Sequence, residues 1–278
     1  MDLVTQILKN PLAVQTAIIG GTGLVCAVIL AVAARFLAVH EDPRIEAVTA
    51  LLPGINCGGC GYAGCSEYAK AVVAHGAPVN LCKPGGKETL HKLSAYMGIE
   101  AAAGEREVAL VLCQGSHAVA RRKALYNGVS DCTAAQQIGG NGKACRYGCL
   151  GLGSCARICP VEAIEIKDGL AIVHPDLCIG CTQCVATCPR RMIKMVPESR
   201  FIHVLCLSKD RGPEVKKVCD VGCIACTLCV KACGGKGIAM DGALAIVDYS
   251  VPLDNEETIA KCPMHTLVKR LATREAKA

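Results

Sequence analysis

The stretch that decides the fold is Cys178-Ile-Gly-Cys181-Thr-Gln-Cys184-Val-Ala-Thr-Cys188-Pro189. Three thiols two residues apart can wrap one [4Fe-4S] cubane, while the fourth, followed by proline, reaches over to a second cluster of a pair. The remote ligand of the first cluster is then expected from an upstream Cys-Pro, and Cys159-Pro160 supplies it. One set is therefore Cys159, Cys178, Cys181 and Cys184, with Cys188 committed to its neighbour.

The neighbouring half is irregular. It reads Cys145-x3-Cys149-x5-Cys155-x3-Cys159-Pro160, with Leu152 where a middle cysteine belongs. Cys149, Cys155 and the remote Cys188 make three thiolates, and Cys145 is the nearest candidate for the fourth. Cys113 or Cys132 could serve instead.

Sliding the sequence by 74 residues superimposes Cys145, Cys149, Cys155, Cys159 and Cys188 on Cys219, Cys223, Cys229, Cys233 and Cys262, the mark of an internal duplication. Leu170-Ala-Ile-Val173 falls on Leu244-Ala-Ile-Val247, each behind an Asp-Gly turn, as expected of short hairpins. Val111-Leu-Cys113 resembles Val204-Leu-Cys206 at a shift of 93, so the first copy carries an insertion that includes Cys132. In the second copy Leu152 becomes Cys226, whereas Cys178, Cys181 and Cys184 become Pro252, Asn255 and Thr258. That copy keeps one complete set, Cys223, Cys226, Cys229 and Cys262. Cys113, Cys132, Cys206, Cys219 and Cys233 are left as buried thiols, a cysteine pair or a fifth cluster.

Upstream, Cys57-Gly-Gly-Cys60-Gly-Tyr-Ala-Gly-Cys65, followed by Cys82, gives C-x2-C-x4-C-x16-C. The interleaved glycines allow tight backbone paths around one [4Fe-4S] cluster. Structural zinc is the alternative, although zinc modules more often bring two separated C-x2-C pairs. Residues 66–75 and 88–97 are expected to be helical. Farther out, Pro11 to Ala34 carries no formal charge and is long enough to cross a hydrocarbon core of about 30 Å as one helix. A cleaved signal peptide would have a shorter apolar core. Lys9 before this helix and Arg35 and Arg44 after it orient it weakly, but thiolate clusters belong on the reducing, cytoplasmic side.

Twenty-two cysteines in 278 residues, with six tyrosines, two phenylalanines and no tryptophan, leave a core poor in large side chains that clusters would cross-link. The net charge of +6 is mild and does not suggest nucleic acid. No P-loop or dinucleotide fingerprint is present, Gly139-Gly-Asn-Gly142 reads as a flexible loop, and the seven histidines show no ligand spacing. All-cysteine clusters leave no open iron, so the chemistry implied is one-electron transfer, with no catalytic residue in this chain.

An N-terminal membrane helix, the Cys57/Cys60/Cys65/Cys82 module and a long ferredoxin region with YGCLGLGSCARICP together resemble the B subunit of the Rnf complex, in its cluster-rich form. The resemblance implies an α+β chain in four parts: an anchor (1–38), the four-cysteine module (39–100), a ferredoxin-like repeat with two clusters (105–200) and a degenerate repeat with one (201–278). It implies a single-pass protein of the cytoplasmic membrane, part of a multi-subunit ion-translocating oxidoreductase. Its role there would be to accept electrons from soluble reduced ferredoxin and pass them to membrane-embedded subunits, coupled to NAD+ reduction and Na+ or H+ export. Arg190, Arg191, Lys194, Arg200, Lys216 and Lys217 could steer an acidic ferredoxin, or simply form a solvated face. A polyferredoxin serving a hydrogenase or reductase is a second reading, and a zinc-binding scaffold a third.

Overall fold

The computed structural model describes residues 11–36, 42–102, 104–253 and 255–270; the ends of the expected anchor, including Lys9, and the tail of the second repeat lie outside them. The chain divides into two compact units, residues 1–43 and 44–278. In the first, helix α1 runs Pro11–Phe36, and its span Val14–Phe36 is long and apolar enough to cross a membrane. Its Ile18, Ile19, Leu24, Ile29 and Leu30 are all exposed, so protein packing does not account for its hydrophobicity.

The second unit mixes short helices with two-stranded sheets. Its first part holds α2 (Pro43–Leu51), α3 (Cys65–His75) and α4 (Gly86–Met97). Val48, Tyr68, Val72 and Leu93 form a small core there, against which Cys60, Cys65 and Cys82 pack. Gly76 and Gly98 end α3 and α4 in left-handed conformations that glycine adopts without a Cβ penalty.

Two regions of one plan follow. In the first, β1 (Glu107–Val111) pairs antiparallel with β4 (Ile193–Pro197), and β2 (Ile164–Lys167) forms a hairpin with β3 (Leu170–Val173). In the second, β5 (Ile202–Val204) pairs with β8 (Leu267–Lys269), and β6 (Ile238–Asp241) with β7 (Leu244–Val247). Registers correspond pair by pair: Ile164 opposes Val173 as Ile238 opposes Val247, and Val111 opposes Ile193 as Val204 opposes Leu267. Between the strands sit α5 (Cys132–Gln137), α6 (Ser154–Arg157) and α7 (Gln183–Thr187), then α8 (Gly212–Val218), α9 (Leu228–Ala232) and α10 (Glu257–Ala260).

Backbone bonds join the two regions directly. Arg121 N–H donates to Val218 O (3.0 Å), Asp220 N–H donates to Val119 O (3.1 Å), and the Gln114 amide reaches His265 O (2.9 Å). Tyr249 packs with both cores, beneath the Lys194 ammonium 5.4 Å from its ring centroid. Residues 139–142 do not form a loose loop: Asn141 is buried and its amide bonds Leu150 O, while a side chain at Gly142 would collide with Ala124 O.

Candidate thiol sites

Four cavities of the second unit are each lined by four cysteines. Cys159, Cys178, Cys181 and Cys184 surround one, walled by Ala109, Ile164, Val173 and Met195. Cys223, Cys226, Cys229 and Cys262 surround another. Both loops turn the same way, because Thr182 and Thr227, each just after the second cysteine of its run, take left-handed backbone (φ 63° and 61°) before a short helix carries the third cysteine inward.

For the irregular set, the cavity takes one of the alternatives left open by the spacing rather than the nearest one. Cys149, Cys155 and Cys188 line a cavity whose fourth cysteine is Cys132, not Cys145. Local hydrogen bonding explains the choice. The Asp131 carboxylate caps α5 by accepting from Ala134 N–H (2.9 Å) and also accepts from the Ser154 hydroxyl (2.8 Å), while Cys132 N–H donates to Ser154 Oγ (2.8 Å). These bonds clamp Cys132 beside Cys155 on α6, and they hold the Asp131 carboxyl below the usual carboxylate range. Leu152, at the position of Cys226, does not face this cavity.

Cys145 instead lines a fourth cavity, at the junction of the two regions, with Cys113, Cys206 and Cys219. Each region gives two thiols to it, and the pairs are equivalent: Cys113 corresponds to Cys206 and Cys145 to Cys219. Sequence spacing could not reveal this set, since its members lie in four separate segments. The signal present was the repetition itself, which carried both pairs into both copies.

In the module, Cys82 lies in the electrostatic field of Cys65, Cys60 and Cys57. The Gln183 amide bonds Cys57 O, and a Cβ on Gly59 would meet Cys181 O at 2.8 Å, so the module loop sits directly against the Cys178–Cys184 loop. Twenty of the 22 cysteines thus fall into five groups of four, leaving Cys26 on the apolar helix and Cys233.

The surroundings suit sulfur that must carry charge. Backbone N–H groups of Ala109, Ala163, Met192 and Ser208 donate to the sulfurs of Cys178, Cys159, Cys188 and Cys206 at 3.3–3.5 Å. Desolvation nonetheless pushes the Cys113, Cys155 and Cys184 thiols up to about 12, and Cys206 and Cys229 to about 11. Such thiols ionise only when a bound cationic core compensates them. Among the described residues no three His, Cys, Asp or Glu side chains converge closely enough to hold a single metal ion. The donor sets fit a cluster with several irons between the sulfurs.

Two cations lie between the irregular and junction cavities. Lys143 is buried, and its ammonium donates to the carbonyls of Gly115 (2.6 Å), Cys149 (3.0 Å) and Gly169 (2.6 Å). Arg190 donates to Gly148 O (2.7 Å), Cys145 O (3.3 Å) and the Gln136 amide oxygen (2.6 Å). Arg190 is therefore turned inward rather than displayed to a partner. Arg200 donates to Tyr249 O and Lys217 pairs with Glu214, which leaves Arg191 and Lys216 as the exposed cations of the basic group that no ion pair or ring contact engages among the described residues.

Comparison with known proteins agrees with the thiol chemistry. A family described as a putative Fe-S cluster matches residues 52–84, and one described as a 4Fe-4S binding domain matches residues 171–194. The chain is 40% identical to the B subunit of the Na+-translocating ferredoxin:NAD+ oxidoreductase complex of Acetobacterium woodii, over 93% of its own length and 78% of the relative's. It is 38% identical to the B subunit of the ion-translocating oxidoreductase complex of Methanosarcina acetivorans, over 91% and 97%. The B subunit of the proton-translocating ferredoxin:NAD+ oxidoreductase complex of Clostridium ljungdahlii is 39% identical over 87% and 86%. With the membrane-type helix, the cysteine module and the paired ferredoxin-like regions in place, the chain belongs to the B-subunit family of Rnf-type ion-translocating oxidoreductases.

Proposed function

We propose that this protein is the electron-relay component of an Rnf-type complex, holding five [4Fe-4S] clusters in its five cysteine sets. The carrying observation is that four cavities are each lined by four cysteines, with a fifth set of four in the module. Bound clusters of this ligation supply one-electron transfer with no bond made or broken. The protein's part is to anchor them through thiolates, exclude water with apolar walls and set the charge around each. Soluble reduced ferredoxin is the donor, entering at the duplicated region, and the module at residues 39–100 hands electrons to membrane-embedded subunits. The clusters lie on the cytoplasmic side of the cell membrane, with α1 as the single lipid-embedded span. NAD+ reduction and ion export belong to partner subunits, because α1 contains no ionisable side chain suited to an ion path apart from its terminal Arg35 and its thiol Cys26. The relatives' names divide between Na+ and H+, so the coupling ion varies within the family.

Metal and acid-labile sulfide analysis of anaerobically purified full-length protein tests this reading. About twenty irons and twenty sulfides per chain are expected from five cubanes. About sixteen would remove one of the five clusters, and colourless, zinc-loaded protein would end the relay reading.

A further inference from the structure

The two inward-turned cations, Lys143 buried and Arg190 half-buried, are arranged reciprocally. Lys143 lines the junction cavity but hydrogen-bonds the carbonyl of Cys149, which belongs to the irregular set. Arg190 lines the irregular cavity but hydrogen-bonds the carbonyl of Cys145, which belongs to the junction set. Every hydrogen bond placed on either group ends on a neutral oxygen rather than a carboxylate. Burying cations this way is unfavourable unless other negative charge lies close by. The Asp168 carboxylate supplies part of it for Lys143, and the thiols of Cys145, Cys149, Cys188 and Cys113 are the ionisable groups that favour the charge of Arg190.

The other two cavities of the duplicated region are lined by no lysine, arginine or histidine. At the 74-residue shift Lys143 becomes Lys217, which is exposed and paired with Glu214 (2.8 Å), and Arg190 becomes Met264, which lines its cavity as an apolar wall. Within the duplicated region, cations thus line only one pair of these sites.

We infer that Lys143 and Arg190 form a cationic brace between the irregular and junction sites that favours the reduced state of both, making this pair more readily reduced than the other two sites of the duplicated region. The inference rests on the five-cluster reading above. Reduction of either cluster takes one electron from reduced ferredoxin, which is oxidised by one, and no proton is taken up. The charge enclosed by four thiolates therefore becomes more negative by one, and fixed positive charge beside it stabilises that state. The guanidinium keeps its charge at any working pH. Neither residue touches a reacting partner; both act through the field they place on the two sites.

The test is a redox titration of full-length protein followed by electron paramagnetic resonance, with iron and sulfide counted on every sample. Lys143→Met and Arg190→Met are expected to keep the wild-type iron count. Each should lower the reduced-to-oxidised ratio of two clusters about tenfold at fixed potential, a shift of about 59 mV for a one-electron couple. The remaining clusters should not move, and Lys143→Arg and Arg190→Lys should restore most of the shift. Iron-replete variants with unchanged potentials would overturn the brace and leave both residues as loop staples. If Lys143→Met fails to assemble, Arg190→Gln decides the matter, because that side chain is only half-buried. A wild-type iron count below twenty that lacks either of these two clusters would instead defeat the cluster reading itself.

Discussion

The two ferredoxin-like regions share a scaffold and differ in what it carries. In the first region, β1 to β4, the paired outer strands and the hairpin enclose two four-thiol cavities; in the second, β5 to β8, the same strands, in the same register, enclose one. Where the first region has Cys184, the second has Thr258, fully buried with its hydroxyl unpartnered. Leu253 and Ile259 pack with Cys233 against the core there, so side chains occupy space that thiols frame in the first region. Strand pairing and apolar packing therefore hold the same plan with one four-thiol set or with two, so the topology does not depend on the second set.

The difference can be broken most severely at the irregular site. Cys132→Ser should remove about four irons and abolish one resonance signal, while Cys145→Ser should remove about four from a different cluster. If Cys145→Ser erased the same signal as Cys132→Ser, the assignment of the fourth thiol would be wrong. A smaller effect is expected where the module meets the first region. Gly59→Ala places a methyl group against the Cys181 carbonyl and should cost up to about 3 kcal/mol, seen as faster proteolysis of residues 44–100.

His203 sharpens the contrast from the second region. It is buried on β5 against the Tyr249 hydroxyl (3.1 Å), and desolvation, helped by Arg270, pulls it down to about 4. The native state holds it neutral while the unfolded chain protonates it below about 6.5, so its contribution is complete above 6.5 and lost as pH falls toward 4. At pH 5 the loss should reach about 2 kcal/mol, measured as the difference in denaturation midpoint between wild type and His203→Gln across that window. The smallest change is Thr258→Val, which removes an unpaired buried hydroxyl and should stabilise the second region by about 1 kcal/mol in the same assay. A destabilising result would mean that the hydroxyl has a partner after all.

Much of this was legible in residue spacing. Runs such as Cys178-x2-Cys181-x2-Cys184 place their thiols through local backbone turns, which sequence encodes directly, and the hairpins follow from Asp168-Gly169 and Asp241-Gly242. Cys132 was harder. It reaches the irregular cavity because Asp131, Ser154 and Arg157 tie two helices together, a tertiary clamp with no spacing signature. The junction set was hardest, since its geometry is created only by docking one region on the other. The buried roles of Lys143 and Arg190 were likewise hidden, because a lysine or arginine in sequence reads as surface until the carbonyls around it are known.

The junction cavity has one more consequence, for biogenesis. Cutting the chain between residues 200 and 201 would leave the other four thiol groups whole, three upstream and one downstream, and would divide this one into halves. During synthesis it is therefore completed only after Cys219 has emerged and the second region has docked. Its filling would report that both halves of the protein have matured together.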